Sequence, residues 1–154
     1  ELLVLCTNTM HKVAPAIEQA VSIPLLHIAD PTAAAIQAAG LDRVGLLGTR
    51  FTMEQDFYKG RLQEKFGLEV LVPGEAQRER VHRIIYDELC LGDIRESSQA
   101  EYLAIIADLA QAGAQAVILG CTEIALLVGA CQAAVPLYDT TAIHAEAAVT
   151  LALA

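Results

Sequence analysis

Short apolar runs alternate along the chain with longer segments in which apolar residues recur every three or four positions. The runs have the length of β-strands, and the longer segments have the period of amphipathic helices. The predicted strands are residues 2–5, 25–28, 43–48, 68–72, 116–119 and 135–138. The predicted helices are residues 10–20, 31–39, 52–66, 75–90, 97–111, 123–133 and 141–153. This alternation indicates βα units around parallel sheets, and therefore an α/β fold.

Local capping signals predict where two of these helices begin. Asp30 followed by Pro31 is typical of an N-cap and a first helical residue. Thr52 with Gln55 has the spacing of a capping box, which predicts that a helix starts there.

The chain also contains an internal repeat, in which a strand, a polar turn and a helix are followed by a second strand and an Ala-rich helix. In this alignment Thr7 lies opposite Cys121, and Asn8 lies opposite Thr122. The repeat predicts two lobes related by a pseudo-twofold axis, with equivalent strand ends facing each other across one cleft. The alternative is that βα units resemble one another in general. The matching segments are Val4–Thr9 with Ile118–Glu123, and Pro24–Asp30 with Pro136–Asp139.

Composition agrees with a buried parallel sheet. The chain has 154 residues, of which 55% are hydrophobic, and its mean hydropathy is +0.44. That length suits one domain or two small lobes. No apolar run reaches the roughly 18 residues of a membrane span, so the apolar excess indicates helices packed on both faces of a sheet.

Charge and cysteine content exclude several classes of function. The net charge of −9 argues against nucleic acid, which needs clustered Lys and Arg, but not against a small anion. The four cysteines at positions 6, 90, 121 and 131 have neither zinc-site spacing nor a signal peptide before them. We therefore expect a reduced, cytoplasmic protein without a metal site.

Cys121 is the main candidate for chemistry, because it follows Gly120 at the end of a predicted buried strand. Ligands of α/β proteins bind beyond the carboxyl ends of such strands. A following helix would lower the thiol pKa and favour a thiolate base or nucleophile. The alternative is a buried cysteine that only fills space. We expect that role for Cys6, and packing or surface positions for Cys90 and Cys131.

Thr7, Asn8 and Thr9 follow the first predicted strand. Their hydroxyl, amide and backbone N–H groups would suit a bound carboxylate. Such residues are equally typical of helix caps, and this alternative stays open.

Cys6-Thr-Asn-Thr-Met-His11, together with Gly120-Cys-Thr-Glu-Ile124, resembles the aspartate/glutamate racemase family over essentially the whole chain. Leu46–Glu54 and Tyr86–Leu89 are also similar to that family. Its superfamily includes hydantoin racemases, maleate isomerases and arylmalonate decarboxylases. The resemblance implies two pseudo-symmetric flavodoxin-like lobes whose parallel sheets are flanked by helices.

The resemblance also implies a division of the chain into three parts. Residues 1–40 would be the C-terminal part of the first lobe, and residues 41–135 the second lobe. Residues 136–154 would be a strand and helix that pack back toward the first lobe. Complete members open with a Gly-rich segment that is absent here, and Glu1 precedes a strand already under way. We therefore expect an incomplete first lobe.

The family's reaction needs no cofactor, since one group removes the α-proton of an amino acid and another reprotonates the opposite face. Both groups are usually cysteines; the second matches Cys121, but Thr7 occupies the place of the first. A threonine hydroxyl is too weak an acid to serve as a standing base, so we expect L-substrate to react readily and D-substrate poorly. Glu123 and His11 would stand behind the two catalytic residues and tune them.

The same resemblance implies that Asn8, Thr9 and Thr122 hold the substrate carboxylate. Thr49, at the end of the third predicted strand, would line the same cleft. Arg50 is either a partner for a side-chain carboxylate or a surface residue.

The resemblance therefore predicts a racemase of aspartate, glutamate or a broader set of amino acids, without pyridoxal phosphate or a metal ion. It also implies a homodimer. The alternatives are a one-thiol decarboxylase or isomerase of a small carboxylic acid, and a non-catalytic domain that binds an amino acid.

Overall fold

The computed structural model describes all 154 residues, Glu1 to Ala154. Its strands are β1 (Leu3–Val4), β2 (Leu25–Leu26), β3 (Arg43–Gly48), β4 (Glu69–Leu71), β5 (Ala116–Gly120) and β6 (Leu137–Asp139). Its helices are α1 (Ala14–Ala20), α2 (Ala29–Ala38), α3 (Arg50–Glu54), α4 (Asp56–Phe66), α5 (Glu75–Asp87), α6 (Glu96–Gln111), α7 (Ile124–Val128) and α8 (Thr140–Leu153). Two 3₁₀ turns span Thr9–Val13 and Leu89–Leu91.

The strands form two parallel sheets. β1 pairs with β2, while the larger sheet has the order β4-β3-β5-β6. In its centre, β3 and β5 pair from Val44 beside Ala116 to Gly48 beside Gly120. The predicted α/β fold with parallel sheets flanked by helices is thereby confirmed.

Alternate residues of the central strands enter two cores, one on each face of the larger sheet. On one face, Leu47, Val117 and Leu119 pack with buried residues of α5, α6 and α7. On the other face, Leu46 and Ile118 pack with α2 and α4. A strand buried on both faces reads as a continuous apolar run, which is why β3 and β5 were visible in the sequence.

The end of the chain contacts both sheets. β6 pairs with β5 at the edge of the four-stranded sheet, and α8 packs against α2. His144 of α8 donates from Nε2 to the carbonyl oxygen of Leu26 at 2.8 Å. The strand of the 136–154 segment thus extends the larger sheet, whereas its helix reaches the smaller one.

The two predicted helix starts were wrong. α2 begins at Ala29, whose N–H donates to Nδ1 of His27. Asp30 instead lies in the first turn and forms ion pairs with Arg61 and Lys65. Pro31 is accommodated because the first turn of a helix needs no backbone N–H from it.

The segment 52–66 is two helices rather than one. Thr49 caps α3 by accepting from the N–H of Thr52, and extended Gln55 separates α3 from α4. Thr52 was expected to be a cap, but it lies inside a helix. The predicted helices 10–20 and 123–133 are also shorter in α-helical form, as α1 and α7. None of the helices has both the length and the apolar character that crossing a bilayer requires.

Candidate active site

A cavity of about 280 Å³ lies beyond the carboxyl ends of β1, β3 and β5. We call it the strand-end cavity. It contains every residue expected at the site except His11. Its lining consists of Thr7, Asn8, Thr9, Met10, Thr49, Ile85, Tyr86, Cys90, Gly120, Cys121, Thr122 and Glu123.

A larger cavity of about 490 Å³ lies between the two-stranded sheet and the end of α8. Its walls are mainly apolar, and Glu1 is the one ionisable side chain among its lining residues. Volume alone would favour this cavity as the binding site, whereas the reactive side chains line the strand-end cavity. We place the candidate active site where those side chains meet.

Two glycines allow β3 and β5 to end close together. A Cβ atom on Gly48 would lie 2.8 Å from the carbonyl oxygen of Gly120. A Cβ atom on Gly120 would lie 2.8 Å from the carbonyl oxygen of Leu47. Because backbone cannot yield as a flexible side chain does, any larger residue would push the two strand ends apart. The glycine before Cys121 therefore sets the position of its thiol.

The Cys121 thiol donates to Oε2 of Glu123 at 2.9 Å. Burial raises the pKa of Cys121, and the hydrogen bond and negative charge of Glu123 raise it further. The expected lowering of this pKa by a helix was wrong. α7 begins only at Ile124 and has five residues, whereas a carboxylate lies in direct contact with the sulfur.

Glu123 is the natural acceptor for the proton of this thiol. Burial on its own would raise the pKa of Glu123, but hydrogen bonds from Cys121 and Thr122 outweigh that effect and lower it. The pair is therefore a protonated thiol beside an ionised carboxylate. Such a pair can pass a proton from sulfur to oxygen: the S–H bond breaks, an O–H bond forms, and the single negative charge moves from the carboxylate to the sulfur.

His11 lies behind Thr7 rather than in the strand-end cavity. Its Nε2 accepts from the N–H of Ile28 at 3.1 Å, so the ring proton is on Nδ1. Nδ1 then donates to the carbonyl oxygen of Thr7 at 2.6 Å. Burial lowers the pKa of His11, which keeps it neutral. These contacts of His11 fix the Thr7 loop, residues 5–8, through the carbonyl oxygen of Thr7. The hydroxyl of Thr7 makes no hydrogen bond within the protein.

Asn8 is buried, with only 3% of its surface exposed. Its Nδ2 donates to the hydroxyl of Thr140 at 3.1 Å, and that hydroxyl donates to the carbonyl oxygen of Leu119. Its Oδ1 has no partner in the protein. A buried acceptor left unpaired costs about 1–3 kcal/mol, and a ligand with an N–H donor would recover this energy only after the Asn8 side chain turned toward the cavity, because the oxygen is buried.

Three threonine hydroxyls join the Thr7 side of the cavity to the end of β3. Thr9 Oγ1 lies 3.0 Å from Thr49 Oγ1 and 3.4 Å from Thr52 Oγ1. Thr49 and Thr52 are also within 3.3 Å of each other. Rotatable hydroxyls in such a cluster can be redirected toward a carboxylate. Thr52 supports this cluster, a role that its capping-box spacing did not predict.

One wall of the strand-end cavity was missed by the sequence analysis. Ile85 and Tyr86 come from α5, Cys90 comes from the 3₁₀ turn that follows, and Met10 comes from the 3₁₀ turn Thr9–Val13. The similarity of Tyr86–Leu89 to the racemase family was the one signal that this segment mattered. Cys90 had been expected at a packing or surface position; it is exposed but also lines the cavity.

The remaining candidates lie outside the strand-end cavity. Cys6, expected in the core, is exposed; it borders a separate cavity of about 130 Å³ beside α8. Cys131 is half-buried against the core. Arg50 lies 3.7 Å from Glu79 and is a surface residue.

The fold and the site can be compared with known proteins. A solved structure of a candidate Asp/Glu racemase from Yersinia pestis is 59% identical, with a TM-score of 0.95. An aspartate racemase homologue from Pyrococcus horikoshii is 35% identical, with a TM-score of 0.88. The match covers 100% of this chain and 67% of each of those chains.

Sequence comparisons give the same assignment. An uncharacterised protein from Pectobacterium carotovorum is 34% identical over 105 residues, which are 68% of this chain and 67% of that protein. The model of the Asp/Glu/hydantoin racemase family matches residues 1–148. That match covers both strand-end motifs and the wall formed by α5. The chain therefore belongs to the Asp/Glu/hydantoin racemase family.

Proposed function

We propose that this protein racemises an α-amino acid without a cofactor, using Cys121 and Thr7 on the two faces of the substrate. The main support is that these two residues, which the internal repeat relates, line one cavity of about 280 Å³. Family membership supports amino-acid racemisation as the class of reaction. Pyridoxal phosphate and metal ions have no part in the proposal.

The substrate would bind as a zwitterion. Its ammonium group would donate to the unpaired Oδ1 of Asn8 once that side chain turns toward the cavity. Its carboxylate would accept from the hydroxyls of Thr9, Thr49 and Thr122, all of which line the cavity. A carboxylate held by several donors can better take up the negative charge that develops when the α-proton leaves.

The thiol must lose its proton before it can act as a base. Glu123 accepts that proton through the 2.9 Å contact. The thiolate then takes the α-proton of the L-isomer: the C–H bond breaks, an S–H bond forms, and the electron pair moves into the carboxylate. The Thr7 hydroxyl gives its proton to the other face of the carbanion, and solvent water restores that proton.

Thr7 makes the two directions chemically unequal. The enantiomers have equal free energies, so the equilibrium constant between them is 1. Because the ratio of the two kcat/KM values equals this constant, kcat/KM must be the same for both enantiomers. The asymmetry can therefore appear only as separate differences in kcat and KM, and as exchange of the α-hydrogen without inversion. We expect the L-isomer to exchange its α-hydrogen at Cys121 faster than it inverts.

The first test is proton NMR in D₂O with a panel of L- and D-amino acids. Loss of the α-proton signal is expected for L-substrate, and Cys121→Ser should reduce its rate at least 100-fold, because a hydroxyl is a far weaker base than a thiolate at neutral pH. Cys131→Ser, whose sulfur lies outside the cavity, is the control and should exchange normally. Equal exchange rates in Cys121→Ser and the unchanged protein would refute the proposal.

A one-thiol decarboxylase or isomerase is the second candidate, because only one of the two repeat-related positions carries a thiol. It would release CO₂ or move a double bond. A carboxylic acid that loses CO₂ in the presence of this protein, without racemisation of any amino acid, would favour that candidate.

A further inference from the structure

Thr52 is a fully buried residue of α3 that lies where β3 and β5 end. A Cβ atom on Gly48 would lie 3.1 Å from Cβ of Thr52, and a Cβ atom on Gly120 would lie 3.3 Å from its Cγ2. The Thr52 side chain therefore packs against both strand ends, beside the glycine that precedes Cys121. Because a β-branched side chain has few allowed rotamers, this packing also fixes the direction of its hydroxyl.

The Thr52 hydroxyl contacts two hydroxyls that line the strand-end cavity. Its Oγ1 lies 3.3 Å from Oγ1 of Thr49 and 3.4 Å from Oγ1 of Thr9. Thr9 and Thr49 are 3.0 Å apart, and both line the cavity. Thr49 Oγ1 also accepts from the backbone N–H of Thr52. We call these three residues the threonine cluster. It has a buried end at Thr52 and an open end at Thr9 and Thr49.

The buried end determines which way the protons of the cluster point. A hydroxyl has one proton to donate and two lone pairs that accept, and the hydrogen-bond partners of Thr52 Oγ1 are the oxygens of Thr9 and Thr49. When the three hydroxyls form a closed ring, each donates to the next. The contact between Thr9 and Thr52 is the longest of the three, at 3.4 Å, and is the weakest link of that ring.

A carboxylate in the cavity would replace this weakest link. The Thr9 proton would turn to the carboxylate, while Thr52 donates to Thr49 and Thr49 donates to Thr9. All three hydroxyls then donate in one direction, from the interior toward the ligand. Hydrogen bonds that run in one direction strengthen one another, so the last hydroxyl is a better donor to an anion than an isolated hydroxyl would be.

We infer that Thr52 is a positioning residue for the α-carboxylate of the substrate, because its hydroxyl makes Thr9 and Thr49 donate toward the cavity. This inference rests on the proposed function, in which the substrate carboxylate accepts from these two residues. Without the Thr52 hydroxyl, Thr9 and Thr49 would remain paired with each other, and either of them could donate or accept at the cavity. The cluster would then no longer distinguish a carboxylate, which only accepts, from a carboxamide, which also donates.

The experiment compares two ligands by titration calorimetry: L-aspartate and its α-carboxamide, L-isoasparagine. Thr52→Val keeps the shape of the side chain but removes the hydroxyl. It should raise the Kd of L-aspartate about 10-fold, the equivalent of one charge-assisted hydrogen bond, and leave that of isoasparagine nearly unchanged. A merely structural role would weaken both ligands alike. Equal shifts for the two ligands, an unchanged Kd for L-aspartate, or no binding of L-aspartate to the unchanged protein would overturn the inference.

Thr52→Ser is the matched control, since it keeps the hydroxyl and loses the methyl group that packs against Gly48 and Gly120. It should bind L-aspartate as the unchanged protein does, although its midpoint in urea unfolding falls. If Thr52→Val does not fold, the comparison of Thr52→Ala with Thr52→Ser isolates the hydroxyl in the same way. If Thr52→Ser weakens L-aspartate as much as the variant without a hydroxyl, packing rather than the hydroxyl is responsible, and the inference is wrong.

Exchange of the α-hydrogen in D₂O separates a failure of this inference from a failure of the proposed racemisation. Binding of L-aspartate that depends on the Thr52 hydroxyl, without exchange in any amino acid, would refute racemisation while the threonine cluster still binds a carboxylate. Exchange in Thr52→Val with an unchanged kcat/KM would leave racemisation standing and refute the role of Thr52.

Discussion

At the scale of single residues, the contact between Cys121 and Glu123 decides when the thiol can react. Burial and the carboxylate together raise the pKa of Cys121 and hold the proton on sulfur. In the proposed reaction this proton passes to Glu123, and the single negative charge of the pair then lies on sulfur. The thiolate is the reactive species of a cysteine, so the proposed reaction depends on this transfer.

The residue opposite Cys121 leads to a prediction on stereochemistry. Thr7→Cys should increase exchange of the α-hydrogen of D-substrate at least 10-fold, because a thiol gives up its proton far more readily than a hydroxyl. Thr7→Ser keeps a hydroxyl and should retain the original preference. Both are measured by proton NMR in D₂O with each enantiomer. If Thr7→Cys and Thr7→Ser behave alike, Thr7 is not the group that faces the D-isomer.

At the scale of elements, three buried imidazoles join the Thr7 loop, α2 and α8. The His11 ring lies 4.3 Å from the His27 ring and 6.1 Å from the His144 ring, measured between centroids. Each ring also bonds to backbone: His11 to Thr7 and Ile28, His27 to Ala29, and His144 to Leu26. The Thr7 loop, α2 and α8 therefore meet at this cluster, in which burial lowers the pKa of His11 and of His27.

This cluster predicts that the protein loses stability in mild acid. Burial, followed by the nearby His11 and Arg61, lowers the pKa of His27 from 6.5 to about 3, and burial also lowers that of His11. The folded state thus binds fewer protons than the unfolded state as the pH falls from 6.5 toward 3. The free energy of unfolding has its full value above pH 6.5. Below pH 6.5, each such histidine lowers it by up to about 1.4 kcal/mol per pH unit.

Urea unfolding at pH 6.5, 5.5 and 4.5 measures this slope. His27→Asn keeps an acceptor for the N–H of Ala29 but cannot titrate in this range, so its slope should be lower by roughly 1 kcal/mol per pH unit. Asp30, whose burial is outweighed by its bonds to Arg61 and Lys65, has a lowered pKa and contributes only at more acidic pH. An unchanged slope in His27→Asn would show that His27 is not a source of the acid sensitivity.

At the scale of the whole molecule, one hydroxyl connects the two sheets. Thr140, the first residue of α8, accepts from Asn8 of the Thr7 loop and donates to Leu119 of β5. Asn8 follows the two-stranded sheet, whereas Leu119 belongs to the four-stranded one. The shape of the cavity between the two sheets depends on their relative position, which these hydrogen bonds help to fix.

Thr140→Val should therefore weaken both folding and substrate binding. The substitution keeps the volume but removes the hydroxyl, which leaves the buried amide of Asn8 without its acceptor and costs about 1–3 kcal/mol. KM should rise more than kcat falls, since Asn8 is proposed to bind the ammonium group rather than to transfer a proton. Thr140→Ser retains the hydroxyl and should lie close to the unchanged protein in urea unfolding and in kinetics. A loss of stability with unchanged KM would separate Thr140 from the substrate site.

Local sequence patterns were enough to predict the strands that are buried on both faces. Val44–Gly48 of β3 and the whole of β5 are buried on both faces, so each of these residues is apolar or small, and the two runs could be recognised from the sequence alone. The predicted helix boundaries were wrong where a side chain other than the expected one accepts from the first N–H groups of the helix. His27 supports the start of α2, and Thr49 replaces Thr52 as the cap of α3. Spacing along the chain cannot reveal which of several hydroxyls reaches an N–H.

The sequence alone determined that this is an α/β protein and predicted that Cys121 and Thr7 end equivalent strands, because strand periodicity and the internal repeat are local properties of the chain. Only the tertiary structure decided the state and the surroundings of the thiol. Its pKa depends on burial and on the direction of the Glu123 side chain, and the cavity wall formed by Ile85 and Tyr86 depends on how α5 packs against β3. The burial and this packing come from contacts between residues far apart in the chain, and no pattern of nearby residues encodes them.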